Sequence, residues 1–179
     1  MIDVYTALTP NGIKVPIVLE ELGLEYRVIP VNLAAGEQSR PEFLALNPNG
    51  RIPAIVDHQG PGGRTVSLFE SGAILLYLAE KAGGLLPRDP VERLRAMEYL
   101  FLQVASVGPT FGQAGWFLRS TPAPCAIAIE RFRGEALPSI GAVSRLSIVT
   151  RHASEPNAWQ LDVHGGTRHD IAPAALAKG

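Results

Sequence analysis

Cysteine is nearly missing from this chain: Cys125 is the one thiol in 179 residues. A disulfide framework, a Cys-x-x-Cys redox pair and a cysteine-ligated zinc site are thereby excluded. The pattern suits a reducing, cytoplasmic setting. Net charge is nearly missing too, at −1, so nothing drives binding to nucleic acid or to an anionic membrane surface. No run of about 18 apolar residues occurs, and no membrane-spanning helix is expected. The opening MIDVYTALTP places an acid early and has neither a basic stretch nor a long apolar run, so no secretory leader is expected. Three of the four histidines fall between His152 and His169. They lack tight ligand spacing and thiolate partners, and read as solvated side chains with no metal.

What remains is ordinary globular material. Hydrophobic residues at 46% against 18% charged argue for a packed core and against disorder. The length allows one large domain or two small ones. Ile2–Thr6 is β-prone, and Thr9-Pro10-Asn11-Gly12 is turn chemistry. Over Ile13–Leu24, the spacing of Val15, Val18, Leu19 and Leu22 predicts an amphipathic helix. Pro16 is tolerable there because it lies near the first turn. Tyr26–Asn32 reads as a second strand, and strand–helix–strand implies that the two strands run parallel. A short helix is expected over Pro41–Leu46, followed by a strand through Ile55–Val56. A loop over Asp57–Gly63 and a returning strand over Thr65–Phe69 complete a hairpin. An apolar helix then runs from Glu70-Ser71-Gly72 to about Lys81. A small mixed sheet with helices on both faces is the simplest packing of this order.

After a linker at Gly83–Pro87, Asp89-Pro90-Val91-Glu92 carries a helix start: an Asp cap, Pro at the first position and Glu at the third. Leu94, Met97, Leu100, Phe101, Val104 and Val107 continue it, and Arg93, Arg95 and Glu98 read as its solvated face. Thr121-Pro122 opens another helix through about Ala136, in which Cys125 is a packing residue. From Leu137 onward neither a helical nor an alternating period is sustained. The first recognisable signal is the capping-box spacing of Thr167-Arg168-His169-Asp170. The expected organisation is a domain over 1–82, a partial helical domain over 88–136 and an atypical tail over 137–179.

Several positions have two readings. Pro53, entering a strand after Ile52, is an ordinary trans proline or a cis proline that frees the Ile52 backbone to pair with an extended peptide. Ser71 caps its helix, or with Glu70 it holds the ammonium and carboxylate of an α-amino acid at a helix N-terminus. Thr9 and Asn11 form a turn, or they donate hydrogen bonds to a thiolate at the mouth of the first helix.

The order of these segments tips the balance. TPNG, PEFLALNPNGRIPAIVD and SLFESGAILLYLAEK together resemble the N-terminal domain of glutathione transferases. The Thr-Pro-Asn start and GPTFGQAGWF at 108–117 resemble the bacterial nu-class transferases related to the fungal nitrogen-regulation prion protein. The likeness covers residues 1–136. It implies a thioredoxin-like α/β domain, an all-α second domain, a homodimer and a site for glutathione as co-substrate. By position it sets Thr9 and Asn11 at the glutathione sulfur, and Gln38 and Arg51 at the ends of the tripeptide. It sets Ile52, before a cis Pro53, at the cysteinyl backbone, and Glu70 and Ser71 at the γ-glutamyl end. Arg131 matches a helical-domain arginine that completes the site. The implied chemistry is reduction of disulfides, or conjugation to small electrophiles, by glutathione itself. A non-catalytic glutathione-binding protein and an inactive frame-shifted product are the alternatives, because the family's C-terminal helices are truncated or scrambled over 137–179.

Overall fold

The computed structural model describes residues 1–119, 145–150, 158–164, 167–168 and 172–174. The chain divides into two compact units, residues 1–104 and 105–179. In the first unit, β1 (Ile2–Thr6), β2 (Tyr26–Pro30), β3 (Ala54–Asp57) and β4 (Val66–Phe69) form one sheet in the order β2-β1-β3-β4. β1 and β2 are parallel, as the strand–helix–strand order requires, and the other pairings are antiparallel.

The helices follow from where the apolar side chains must go. α1 (Lys14–Leu22) and α3 (Ser71–Ala82) pack together over one face of the sheet. Val15, Leu19, Ile74 and Leu78 meet Ile2, Val4 and Ile55 there, all of them buried. Each such side chain contributes about 1.5–3 kcal/mol by leaving water. α2 (Pro41–Leu44) covers the opposite face, where Phe43 packs with Val31 and Ala54, and Tyr5 stands edge-on to the Phe43 ring. The alternation along β1, with Ile2 and Val4 to one side and Tyr5 to the other, is the period-two pattern of a strand. This is the expected thioredoxin-like arrangement.

α4 (Pro90–Leu102) closes the first unit. Its start is as the sequence predicts: Asp89 Oδ1 accepts from the N–H groups of Val91 and Glu92 at 3.0 Å each, and Pro90 holds the first position. A π-helical turn over Gln103–Val107 leads into α5 (Gly108–Arg119).

Beyond α5 the second unit holds strands: β5 (Arg145–Thr150), β6 (Ala158–His164), β7 (Thr167–Arg168) and β8 (Ala172–Ala174). β6 pairs antiparallel with the other three. The helix expected to open at Thr167 is therefore corrected to a strand, in which Thr167 and Arg168 pair with His164 and Val163. Only Gly165-Gly166 separates the partners, and such a pair favours two-residue hairpin turns over a helix cap. The helix expected over 121–136, with Cys125 and Arg131, lies outside the described residues, as do His152 and His169.

Two buried carboxylates lock the sheet. Asp57 is wholly buried at the end of β3. It accepts from the Tyr77 hydroxyl at 2.6 Å and the Gln59 N–H at 2.9 Å, and pairs with Lys81 at 2.7 Å. Asp3 accepts both arms of Arg27, at 3.0 and 2.8 Å, and lies 3.0 Å from His58 Nε2. Burial pushes the Asp57 carboxyl up, but Lys81, Tyr77 and the Gln59 N–H together hold it below the usual 3.8. Arg27 and then His58 hold Asp3 below it as well.

A carboxyl that titrates lower in the folded than in the unfolded chain adds stability above its unfolded pKa. That stability drains as pH falls through the folded value. The thermal midpoint is therefore expected to be flat above about pH 4 and to fall below it, with a shallower fall in Asp57→Asn. Asp57→Ala strands the Tyr77 hydroxyl and the Lys81 ammonium and is expected to cost about 3 kcal/mol in urea unfolding; a loss under about 1 kcal/mol would show that the cluster is not a structural lock.

Candidate functional site

The register of the sheet gathers the candidate residues. Tyr5 lies opposite Ala54, and Ala54 opposite Phe69. That row crosses three strands at one end of the sheet. The loop 7–13 leaves β1 there, Ile52-Pro53 enters β3 there, and Glu70-Ser71 leaves β4 there. The end is also the carboxyl end of β1, where open α/β sheets commonly bind ligands.

The loop after β1 is tightly built. The Thr6 hydroxyl donates to Gly12 O at 2.8 Å, and Ile13 N–H donates to Thr9 O at 3.0 Å. A Cβ on Gly12 would fall 1.9 Å from Ala7 O, so the chain passes itself too closely for any other residue. Gly12 N–H donates to Thr9 Oγ1 at 3.1 Å, and Lys14 Nζ donates to Asn11 Oδ1 at 2.8 Å. Both expected donors thus have an acceptor oxygen engaged from behind. The Thr9 hydroxyl proton and the Asn11 amide protons have no acceptor among the described residues.

The second corner is set by Asn47, which is 2% exposed. Its Nδ2 donates to Arg51 O at 2.6 Å, and its Oδ1 accepts from Asn49 N–H at 3.0 Å. The turn over 47–51 thereby presents Ile52. The Ile52–Pro53 bond is cis, in line with the expectation from family resemblance. No hydrogen bond among the described residues engages the N–H or C=O of Ile52. Gln38 lies against this turn: its backbone oxygen would stand 3.2 Å from a Cβ on Gly50. Its side-chain Oε1 is buried and has no partner among the described residues. Arg51 is exposed and forms no ion pair among the described residues.

At the third corner Glu70 holds φ 71° and ψ 113°, a conformation rare for a residue with a side chain. It is the residue that caps α3, but among the described residues no side-chain cap bonds the free N–H groups of that helix. The simpler reading of Ser71, as the cap, is thereby excluded: Ser71 is the first residue of the helix proper. The Glu70 carboxylate has no cationic partner among the described residues. Such unexplained strain next to unpaired polar groups is a feature of ligand sites.

Thr9, Asn11, Gln38, Arg51, Ile52, Pro53, Glu70 and Ser71 all belong to the first unit. Arg131 lies outside the described residues. Sequence reasoning missed Lys14, Asn47 and the close approach at Gly12. Asn47 announced itself only as turn chemistry, and Lys14 as an ordinary helix cation.

Residues 2–80 match the family model for the glutathione S-transferase N-terminal domain. Over 176 residues the chain is 46% identical to the disulfide-bond oxidoreductase YfcG of Escherichia coli (strain K12), covering 98% of this chain and 77% of that protein. A glutathione transferase from Pseudomonas putida, solved with one glutathione disulfide per subunit, superposes with a TM-score of 0.77 at 42% identity, over 79% of this chain and 63% of that one. Ure2p in complex with glutathione superposes with a TM-score of 0.73 at 37% identity, over 79% and 66%. The chain thus spans about two thirds or less of the length of these two structures. The YfcG match, extensive on both chains, and the matched N-terminal domain place this chain in the glutathione S-transferase family.

Proposed function

We propose that this chain binds glutathione as a co-substrate and uses its thiolate to reduce disulfides or to attack small electrophiles. The observation that carries this reading is the set of unused hydrogen-bonding groups at one end of the sheet. The free protons of Thr9 and Asn11 suit a sulfur anion. The unpaired Ile52 peptide suits the cysteinyl backbone. Gln38 and Arg51 suit the peptide's ends. The uncapped start of α3 suits a carboxylate, and Glu70 suits the neighbouring ammonium. Arg131 is assigned to the same site through family membership, as are a homodimeric state and a cytoplasmic location. The YfcG relationship favours disulfides as the second substrate.

Disulfide reduction balances without any protein thiol. The glutathione thiolate attacks one sulfur of the disulfide, the S–S bond breaks, and the leaving thiolate takes a proton. The mixed disulfide is then attacked at its glutathione sulfur by a second glutathione thiolate, which releases the second thiol and glutathione disulfide. Two glutathiones supply the two electrons. The protein's part is to hold the peptide and to favour the ionised sulfur.

Glutathione-agarose retention and a disulfide-reductase assay with 2-hydroxyethyl disulfide test this. Retention with turnover is expected; retention without turnover would leave a binding module. Thr9→Ala and Asn11→Ala are each expected to lower kcat about ten- to a hundredfold with retention kept. If both variants keep the full rate, the thiolate assignment is wrong. Glu70→Gln is expected to raise KM for glutathione about tenfold with little change in kcat, as for a contact made equally before and during reaction. An unchanged KM would remove Glu70 from the site.

A further inference from the structure

Lys14 combines three features that are individually unfavourable. It is the first residue of α1, where the helix dipole is positive and a cation is at the wrong end. It is half-buried, and desolvation pulls its pKa below the usual lysine value. Among the described residues it forms no ion pair. Neither Glu20 and Glu21 on its own helix, nor Glu70 at the cap of α3, nor Glu80 and Lys81 on α3, which packs against α1, is bonded to it or shifts it electrostatically. Its one hydrogen bond among the described residues donates to Asn11 Oδ1, at 2.8 Å.

We propose that Lys14 is a positioning residue for the glutathione thiolate, fixing the Asn11 amide so that its NH2 faces the sulfur. This rests on the glutathione reading of the site. An ammonium has three donors and no acceptor. The Asn11 atom it touches must therefore be the oxygen, and the amide cannot flip while the contact lasts. The nitrogen of Asn11 is thereby directed away from Lys14 with both protons free. Without Lys14, either end of the amide can face the ligand, and the oxygen end repels a thiolate.

The test titrates glutathione bound to the full chain by thiolate absorbance near 240 nm, together with the pH profile of kcat/KM for 2-hydroxyethyl disulfide. The wild type is expected to hold the bound thiol below the pKa of free glutathione. Asn11→Ala is expected to raise it, and Lys14→Met to raise it by about half a unit to one unit, with a three- to tenfold lower kcat/KM on the acid side. Lys14→Arg, which keeps both charge and donor, is expected to restore the wild-type curve. Because Lys14 acts through Asn11, the Lys14→Met/Asn11→Ala double variant is expected to lie close to Asn11→Ala alone rather than at the sum.

If Asn11→Ala moves the curve and Lys14→Met does not, the positioning role is wrong and the glutathione reading stands. If Lys14→Met abolishes glutathione retention while Lys14→Arg restores it, Lys14 is a direct ligand and the proposal is likewise overturned. If the wild-type chain does not bind glutathione, or binds it with an unshifted thiol that Asn11→Ala leaves in place, the underlying reading itself fails.

Discussion

The antiparallel seam between β1 and β3 is the constraint on which the molecule depends. It sets Tyr5 opposite Ala54 and Val4 opposite Ile55. Val4 and Ile55 are fully buried under α1 and α3, while Ala54 is fully buried toward Phe43 on the other face. A slip of one residue would exchange these faces, sending every core side chain to the wrong layer. The hydrophobic core therefore fixes the register, and the register fixes which loops share an end of the sheet. The position of Thr9 relative to Ile52 and Glu70 is in this sense a by-product of packing Val4 and Ile55. The Asp57–Tyr77–Lys81 cluster extends the same control to α3. It pins the helix to β3 through side chains about two and three turns beyond Ser71.

Much of the first unit was legible because its signals are local and repeated. Apolar spacing placed α1 and α3, and capping chemistry placed the start of α4. The strand–helix–strand order made β1 and β2 parallel. The site was legible only as an ordered set of segments. Thr9, Asn11 and Glu70 alone look like turn and cap residues, and the family's arrangement was needed to separate the readings. What stayed hidden depends on distance in space rather than along the chain. Gly12 reads as part of a turn, but the structure shows a self-crossing that excludes a Cβ. Ser71 reads as a cap, but Glu70 occupies that position with a left-handed backbone.

The strands of the second unit were missed for a different reason. Trp159, Leu161 and Val163 alternate with Gln160, Asp162 and His164, a short period-two run that a search for continued helices passes over. The Gly165-Gly166 pair that follows is a stronger hairpin signal than the Thr-x-x-Asp spacing chosen in its place. A capping box needs an apolar helical stripe behind it. Here the chain continues Ile171-Ala172-Pro173, and Pro173 removes a backbone donor that a helix would need by its second turn.

The contrast between the satisfied and the unsatisfied polar groups separates scaffold from site. Asp3, Thr6, Asn47 and Asp57 are the buried polar residues of the first unit, and every one has its partners in place. Each also braces something else: a strand, a loop crossing, a turn, a helix. Among the described residues, Thr9, Asn11, Gln38, Ile52, Glu70 and the start of α3 bring groups without partners to one end of the sheet. Leaving a buried acceptor such as Gln38 Oε1 unpaired costs about 1–3 kcal/mol. A fold that satisfies its other buried side chains so fully has no structural reason to carry that cost. Under the proposed function, a bound peptide supplies partners for the exposed groups at this end. Lys14 adds a charge that is misplaced for its helix and is bonded to the Asn11 amide at the same end.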